Sequence, residues 1–435
     1  MRSFVGSATW LACGVAMGLS ACGGDDSKTS HGGSAGNSNQ GGAATMGGSS
    51  HVAATSGASG TARGGSNAAG SATGGNSNDG GNAGANGGTN GKGGTNGNAG
   101  ASGSAGNGGS AGAGGSNGAA GSTATGMGPF PSSAPFYQDV SKAPLDAQSA
   151  TLIAALDAIG WGDEPKRTEL GIDFSFNINV AAAGVTPRAF SKSAGFYSPD
   201  CDTAPVPLPP GGKGEGVDDY ACGGGEDCHL FVYQNARLYE LYQSNITGGM
   251  ATGGTFTATC LVVWDLTKDY WVPKAPPNFS RGDGCTGADA AGLPMAPLVL
   301  TKEDIASGTI KHALRFTIDN NRIAETVYVH PATHLGGPTG GTDMLPYGAR
   351  LRLRGNFDLS TLPNANARIV AKALQTYGMY LSDGGNIYIS ATADASDLIN
   401  NSILSSLKPS DFEMLDGGTR ILAEDQDCNH VPITQ

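Results

Sequence analysis

Charge is scarce in this sequence. Asp, Glu, Lys and Arg together make up 14% of 435 residues, and no run of Lys or Arg occurs. A chain that binds nucleic acid or anionic lipid by charge needs a basic stripe, so both partners are excluded as expectations. G-x-S-x-G is absent, which removes the serine-hydrolase elbow. No Gly-rich phosphate loop follows a strand, and the Cys spacings match no zinc framework. Aromatic residues are missing altogether from 23–128. The charge that is present is acidic, with a formal net of −12. Arg2, Lys28, Arg63 and Lys92 against Asp25, Asp26 and Asp79 leave −13 for residues 129–435.

Three kinds of polymer follow one another. Residues 1–22 have a basic start at Arg2 and an apolar, small-residue run from Phe4 to Leu19 that is too short and too broken to span a bilayer. Residues 23–128 are almost entirely Gly, Ser, Asn, Ala and Thr. They lack the side chains to offset the entropy of ordering, so a disordered linker is predicted, with a random-coil span of roughly 50–60 Å. Residues 129–435 carry nearly all the aromatics and are long enough to bury a core.

Leu19-Ser20-Ala21-Cys22 resembles the bacterial lipobox, in which the Cys is lipidated and becomes the mature N-terminus. The resemblance implies a lipoprotein signal peptide over 1–22, lipidation at Cys22, and a membrane partner reached through that anchor. Gly23 in place of Asp implies the outer membrane by the enterobacterial sorting pattern. The Gly/Asn/Ser tether is similar to those of myxobacterial-type surface lipoproteins. The expected location is the cell envelope, with the globular domain outside the cytoplasm.

Within 129–435 the polarity alternates more often than it follows a helical period. Strands are predicted at Asp173–Val180, Thr255–Asp265, Ile310–Ile318, Thr326–His330 and Ala349–Leu359. Hairpins are predicted at His229–Tyr242 and around Asp383-Gly384-Gly385-Asn386. Helices are expected at Asp146–Ile159, after a Thr301 cap, from an Asn366 cap to Tyr377, and at Asp394–Leu407. The class expected is mainly β: a single antiparallel β-sandwich or jelly-roll-like domain with two or three peripheral helices. Cys201, Cys222, Cys228, Cys260, Cys285 and Cys428 give an even count suited to an oxidising compartment, hence up to three disulfides, with Cys222 and Cys228 close enough to pair locally.

GADAAGLPMAPLVLTKEDIASGTIKHALRFT, YVHPATH, RLRLRGNFDLS and ALQTYGMYLSDGGN together resemble a set of uncharacterised exported bacterial proteins, over roughly Tyr137–Leu415. That set has no established activity and lends no catalytic residues; it implies one domain. Helix–hairpin units like ALQTYGMYLSDGGN are also similar to pieces of exported proteins associated with polysaccharides.

A glycoside-cleaving site needs two carboxyls, one protonated and one ionised. Glu240 in the hairpin and Asp289 in the turn GADAAG are the candidates, with Asp218, Asp219 and Asp227 in a long loop nearby in sequence. The competing view of Glu240 is a solvated sheet face. His229 and His334 are candidate catalytic bases, and Arg315, Tyr328 and His330 candidate substrate-binding residues; a His–Tyr–Arg set also suits a polysaccharide lyase. His312 reads as a core histidine, and Arg350, Arg352 and Arg354 as a solvated strand face. His330 and His334 have H-x₃-H spacing, but Pro331 breaks the helix that would align them, so no metal ligand and no cofactor is assigned. Arg281-Gly282-Asp283 is a short tripeptide expected by chance. The leading expectation is a lipid-anchored surface protein whose β-rich domain engages an extracellular polysaccharide and can cleave it. The alternatives are a non-catalytic surface binding or structural module, and a His-ligated metalloprotein.

Overall fold

A computed structural model describes residues 129–223, 227–272 and 279–435. The signal-peptide and linker expectations, and Cys22, lie outside the described residues. The strands in chain order are β1 (Gly171–Phe176), β2 (Ile178–Val180), β3 (Ser191–Lys192), β4 (Leu230–Gln234), β5 (Arg237–Tyr242), β6 (Asn245–Ile246), β7 (Phe256–Ala258) and β8 (Cys260–Asp265). They continue with β9 (Leu314–Ile318), β10 (Ile323–Tyr328), β11 (Leu345–Tyr347), β12 (Arg350–Leu353), β13 (Met379–Gly384), β14 (Tyr388–Thr392), β15 (Phe412–Met414) and β16 (Ile421–Leu422). Three α-helices accompany them: α1 (Ser149–Ile159), α2 (Lys302–Ala306) and α3 (Ala365–Thr376). The class is mainly β.

The main sheet has the order β1-β14-β9-β13-β12-β15, and a second sheet the order β2-β4-β5-β8. Strand directions are mixed. β1 runs parallel to β14 and β9 parallel to β13, while β9 and β14, β12 and β13, and β4 and β5 are antiparallel. The 230–242 hairpin forms as expected, turning at Asn235-Ala236 with φ of 49° and 57°. Two consecutive positive φ values are those of a type I′ turn, whose twist matches the flanking strands.

The second sheet is buried on both faces. Phe231, Tyr233, Leu238, Val262 and Trp264 belong to the large core shared with the main sheet. Leu230, Val232, Tyr239, Leu241, Leu261 and Val263 face a smaller cluster with Phe256 and Ala258. A strand covered on both sides reads as a continuous apolar run, which explains LFVY in β4 and CLVVW in β8. The predicted strand at 255–265 breaks at Thr259, so Phe256 and Ala258 face the smaller cluster while Cys260, Val262 and Trp264 face the larger.

Several local expectations are corrected. No hairpin joins β13 to β14, because β9 lies between them and pairs with both. The strand predicted at 173–180 is two strands in two sheets, the chain crossing over between Phe176 and Ile178. α3 is capped by Asn364, whose side chain accepts from the Ala367 N–H at 2.8 Å, while Asn366 bonds the Leu398 carbonyl. Residues 394–407 form a short 3₁₀ turn and further turns rather than a helix. Arg350 and Arg352 are buried, not solvated. They donate to the carbonyls of Pro135, Gln138, Val140 and Ala143, and Arg352 pairs with Glu413 at 2.6 Å. Their guanidinium forks carry backbone carbonyls that would otherwise be buried without partners. Thr301 does cap α2 in a reciprocal box with Asp304.

Three disulfides form: Cys201–Cys260, Cys222–Cys228 and Cys285–Cys428. They use all six cysteines named from the sequence, including the local pair. No helix among the described residues is long and apolar enough to cross a membrane.

Candidate functional site

Residues paired across neighbouring strands share a face of a sheet. Asp173 pairs with Ser390, Gly171 and Thr317 both pair with Tyr388, and Thr317 also pairs with Asp383. One face of four adjacent strands therefore carries Asp173, Ser390, Tyr388, Arg315, Thr317 and Asp383. The opposite face carries Ile172, Ile389, Leu314, Phe316 and Leu381, all in the core.

Asp383 reaches the polar face through an irregularity. Leu381 pairs with Phe316 and Asp383 with Thr317, leaving Ser382 as an extra residue in β13. In an unbroken strand Asp383 would share the apolar face of Leu381. A bulge re-aims the side chains after it, and here it turns a carboxyl toward Arg315.

The polar face is covered by the segment leading into β4. Together they bound a small cleft with a cavity volume of about 20 Å³, lined among others by Asp173, Glu215, Asp227, His229, Arg315 and Asp383. Phe176 and Tyr388 supply aromatic wall, and the Arg315 guanidinium lies 5.8 Å from the Phe176 ring centre. The Cys222–Cys228 bridge fixes the chain that bears Asp227 and His229.

Two charge clusters build the site. His229 Nδ1 lies 2.7 Å from Glu215 Oε2, and its Nε2 lies 2.9 Å from the Ala288 carbonyl. Glu215 also accepts the His229 backbone N–H and the Ser175 hydroxyl. Burial opposes both charges, yet each stabilises the other. Glu215 is held at about 2 and His229 is raised to about 9. His229 is therefore an imidazolium donating from both nitrogens, with no lone pair left to take a proton from a substrate. The geometry does not serve it as a general base.

The second cluster centres on Arg315, which is 3% exposed. Its Nε donates to Asp289 Oδ1 at 2.9 Å, its Nη2 to Asp383 Oδ2 at 2.9 Å and its Nη1 to Ser390 at 2.8 Å. Two carboxyls share one cation. Burial pushes Asp383 up to about 7; Arg315 pulls it down, while Asp289 and Asp227 push it further up. A carboxyl pushed up by burial and a carboxylate held down by its histidine thus line the same cleft.

The structure separates the residues named from sequence. His229 and Arg315 line the cleft, and Asp289 stands behind it on Arg315. Glu240 is not among the lining residues. Its buried carboxyl accepts from Trp264 Nε1 and from the backbone N–H groups of Met295 and Ala296, at 2.7–2.8 Å. Burial raises it to about 7 and those three donors pull against it, so it serves the packing of β5 against the 293–298 turn. His334 bonds the Ala290 carbonyl, and burial lowers its pKa. Tyr328 and His330 converge instead on buried Asp283, at 3.1 and 2.8 Å, with His330 stacked on Phe279. That Asp belongs to the Arg281-Gly282-Asp283 tripeptide and is buried. His312 bonds Asp304 and the Ala313 carbonyl rather than lying within a strand. Among the described residues no three His, Cys, Asp or Glu side chains are arranged to hold a metal ion.

Glu215, Asp173 and Asp383 were missed from sequence. Asp173 had a usable signal, the polar phase of an alternating strand. Asp383 had none, because a bulge is invisible in the alternation it interrupts. No protein-family model, no curated protein and no solved structure matches the chain.

Proposed function

We propose that the cleft takes the end of an extracellular polysaccharide and hydrolyses its glycosidic bond by acid–base chemistry. One observation carries this reading: burial pushes Asp383 up to about 7 in a cleft that a second carboxyl, Asp227, also lines. Two carboxyls on one cleft, one of them an acid near neutrality, are the arrangement that glycoside cleavage requires. Asp383 donates its proton to the leaving oxygen as the bond to the anomeric carbon breaks. Asp227, whose charge acts on Asp383, accepts a proton from the attacking water. Glu215 is occupied by His229 and Ser175, so it orients the cleft rather than reacting. Half-buried Tyr388 offers a ring for a sugar to rest on, while buried Phe176 is stacked on Phe231 and supports the cleft from below.

The test is incubation of the purified protein with neutral, amino-sugar and uronic polysaccharides, following binding and new reducing ends together. Reducing ends should appear on at least one polymer, and Asp383→Asn should lower their rate by about 10²-fold or more while binding persists. Full activity in that variant, or no binding to any polymer, overturns the reading. The internal pairing of Glu215 with His229 and of Asp383 with Arg315 favours one competitor, a non-catalytic binding module. Binding without new reducing ends would establish it.

At the cell, the proposed arrangement is a lipid on Cys22 that tethers the domain to the envelope through the Gly-rich linker. The three disulfides are compatible with an oxidising location. Labelled palmitate should enter the wild type and not Cys22→Ser, and that variant should leave the membrane fraction.

A further inference from the structure

Asp289 does not touch the cleft, yet it is fully buried and holds one edge of the cation that the cleft acid also uses. Its carboxyl receives three N–H groups: Arg315 Nε at 2.9 Å and the backbone amides of Ala291 and Leu293 at 3.2 and 3.3 Å. Asp383 receives two, from Arg315 Nη2 and Gly384. Two carboxyls around one guanidinium cannot both be fully compensated in a buried site.

We propose that Asp289 is a positioning residue for the cleft: it takes the Nε edge of Arg315, so the guanidinium is shared and the proton of the pair resides on Asp383. This rests on reading Asp383 as the proton donor. Burial pushes the Asp289 carboxyl up as well, but its larger set of donors works against burial, so it keeps the charge. Asp383 is 11% exposed and can exchange its proton with a ligand. The other groups facing Asp383 are Asp227 before β4, which raises its proton affinity, and His229, which lowers it. The phenols of Tyr242 on β5 and Tyr347 on β11 also feel its charge. None of these holds Arg315 by an edge as Asp289 does. The set-point of the cleft acid is thus placed by a buried residue outside the cleft lining, through an arginine whose fork is clamped on all three nitrogens.

The experiment is a titration of the full-length protein labelled with ¹³Cγ aspartate and read by NMR without substrate. One carboxyl should titrate near neutrality and disappear in Asp383→Asn. In Asp289→Asn its midpoint should fall by about one pH unit or more, a tenfold loss of proton affinity, because Arg315 then serves Asp383 alone. Asp289→Glu should restore part of the shift. Should Asp289→Asn fail to fold, judged by near-UV circular dichroism, coupling is read in reverse. By reciprocity Asp383→Asn must lower the midpoint of a second buried carboxyl by a similar amount. An unmoved midpoint in both variants overturns the proposal. The titration does not depend on turnover. An unmoved midpoint in a protein that cleaves glycan sinks the coupling alone, and a moved midpoint in one that cleaves nothing sinks the hydrolytic reading alone.

Discussion

Replacing Glu215 by Gln removes the charge that holds His229 as a cation while keeping the shape of the side chain. The rise of His229 from 6.5 to about 9 and the fall of Glu215 to about 2 report one interaction, so they are counted once. A displacement of that size on the histidine corresponds to roughly 3 kcal/mol. Breaking a buried pair costs about 3–5 kcal/mol when the orphan must stay charged. His229 can shed its proton, so the lower end applies. The contribution from His229 is fully present below its unfolded pKa of 6.5 and is lost as pH rises through about 9. The contribution from Glu215 is present above 4.5 and is lost as pH falls through about 2. Both are intact between those limits, near pH 6. Urea unfolding with disulfides intact should therefore show the variant about 3 kcal/mol less stable at pH 6, and the gap should narrow to under about 1 kcal/mol at pH 10. A gap that is small at pH 6, or that does not change with pH, refutes the buried ion pair.

Asp383 works in the opposite direction. Its folded pKa of about 7 lies above the unfolded 3.8, so stability falls as pH rises from about 4 to 7, and Asp383→Asn should flatten that slope in the same urea series. Ala236 sits at φ 57° in the hairpin turn, where a Cβ is unfavourable, so Ala236→Gly should raise stability by about 0.5–1 kcal/mol in thermal or urea melts. Cys285–Cys428 closes a sequence separation of 143 residues, and replacing both by Ala should cost about 2–5 kcal/mol. The same variant should expose the C-terminal segment, which Asp202 otherwise grips through His430 at 2.7 Å, to limited proteolysis. An unchanged digestion pattern would show that Asp202 suffices.

The readable parts of the fold were those whose cause is local. Alternation located β4, β5 and β8, and the Thr301 box located α2. The six-residue spacing of Cys222 and Cys228 suggested their bridge. The alternation at Leu314-Arg315-Phe316 also set Arg315 on the face opposite its neighbours, which is the face of the cleft. Asp289 was named as a reacting carboxyl in a turn; the structure buries it outside the cleft lining, on Arg315 Nε.

By itself the sequence determined the mainly β class and the pool of polar side chains that alternation keeps off the core. Tertiary structure decided which of them meet. β9, distant in sequence from both partners, enters between β13 and β14, and no local residue preference encodes that choice. The extra residue at Ser382 turns Asp383 from the apolar face to the polar one. Glu215 and His229 cover that face, and burial there pushes the Asp383 carboxyl up beside Arg315. Buried charge takes its properties from its partners, and those partners come from strands and loops that the chain order keeps far apart.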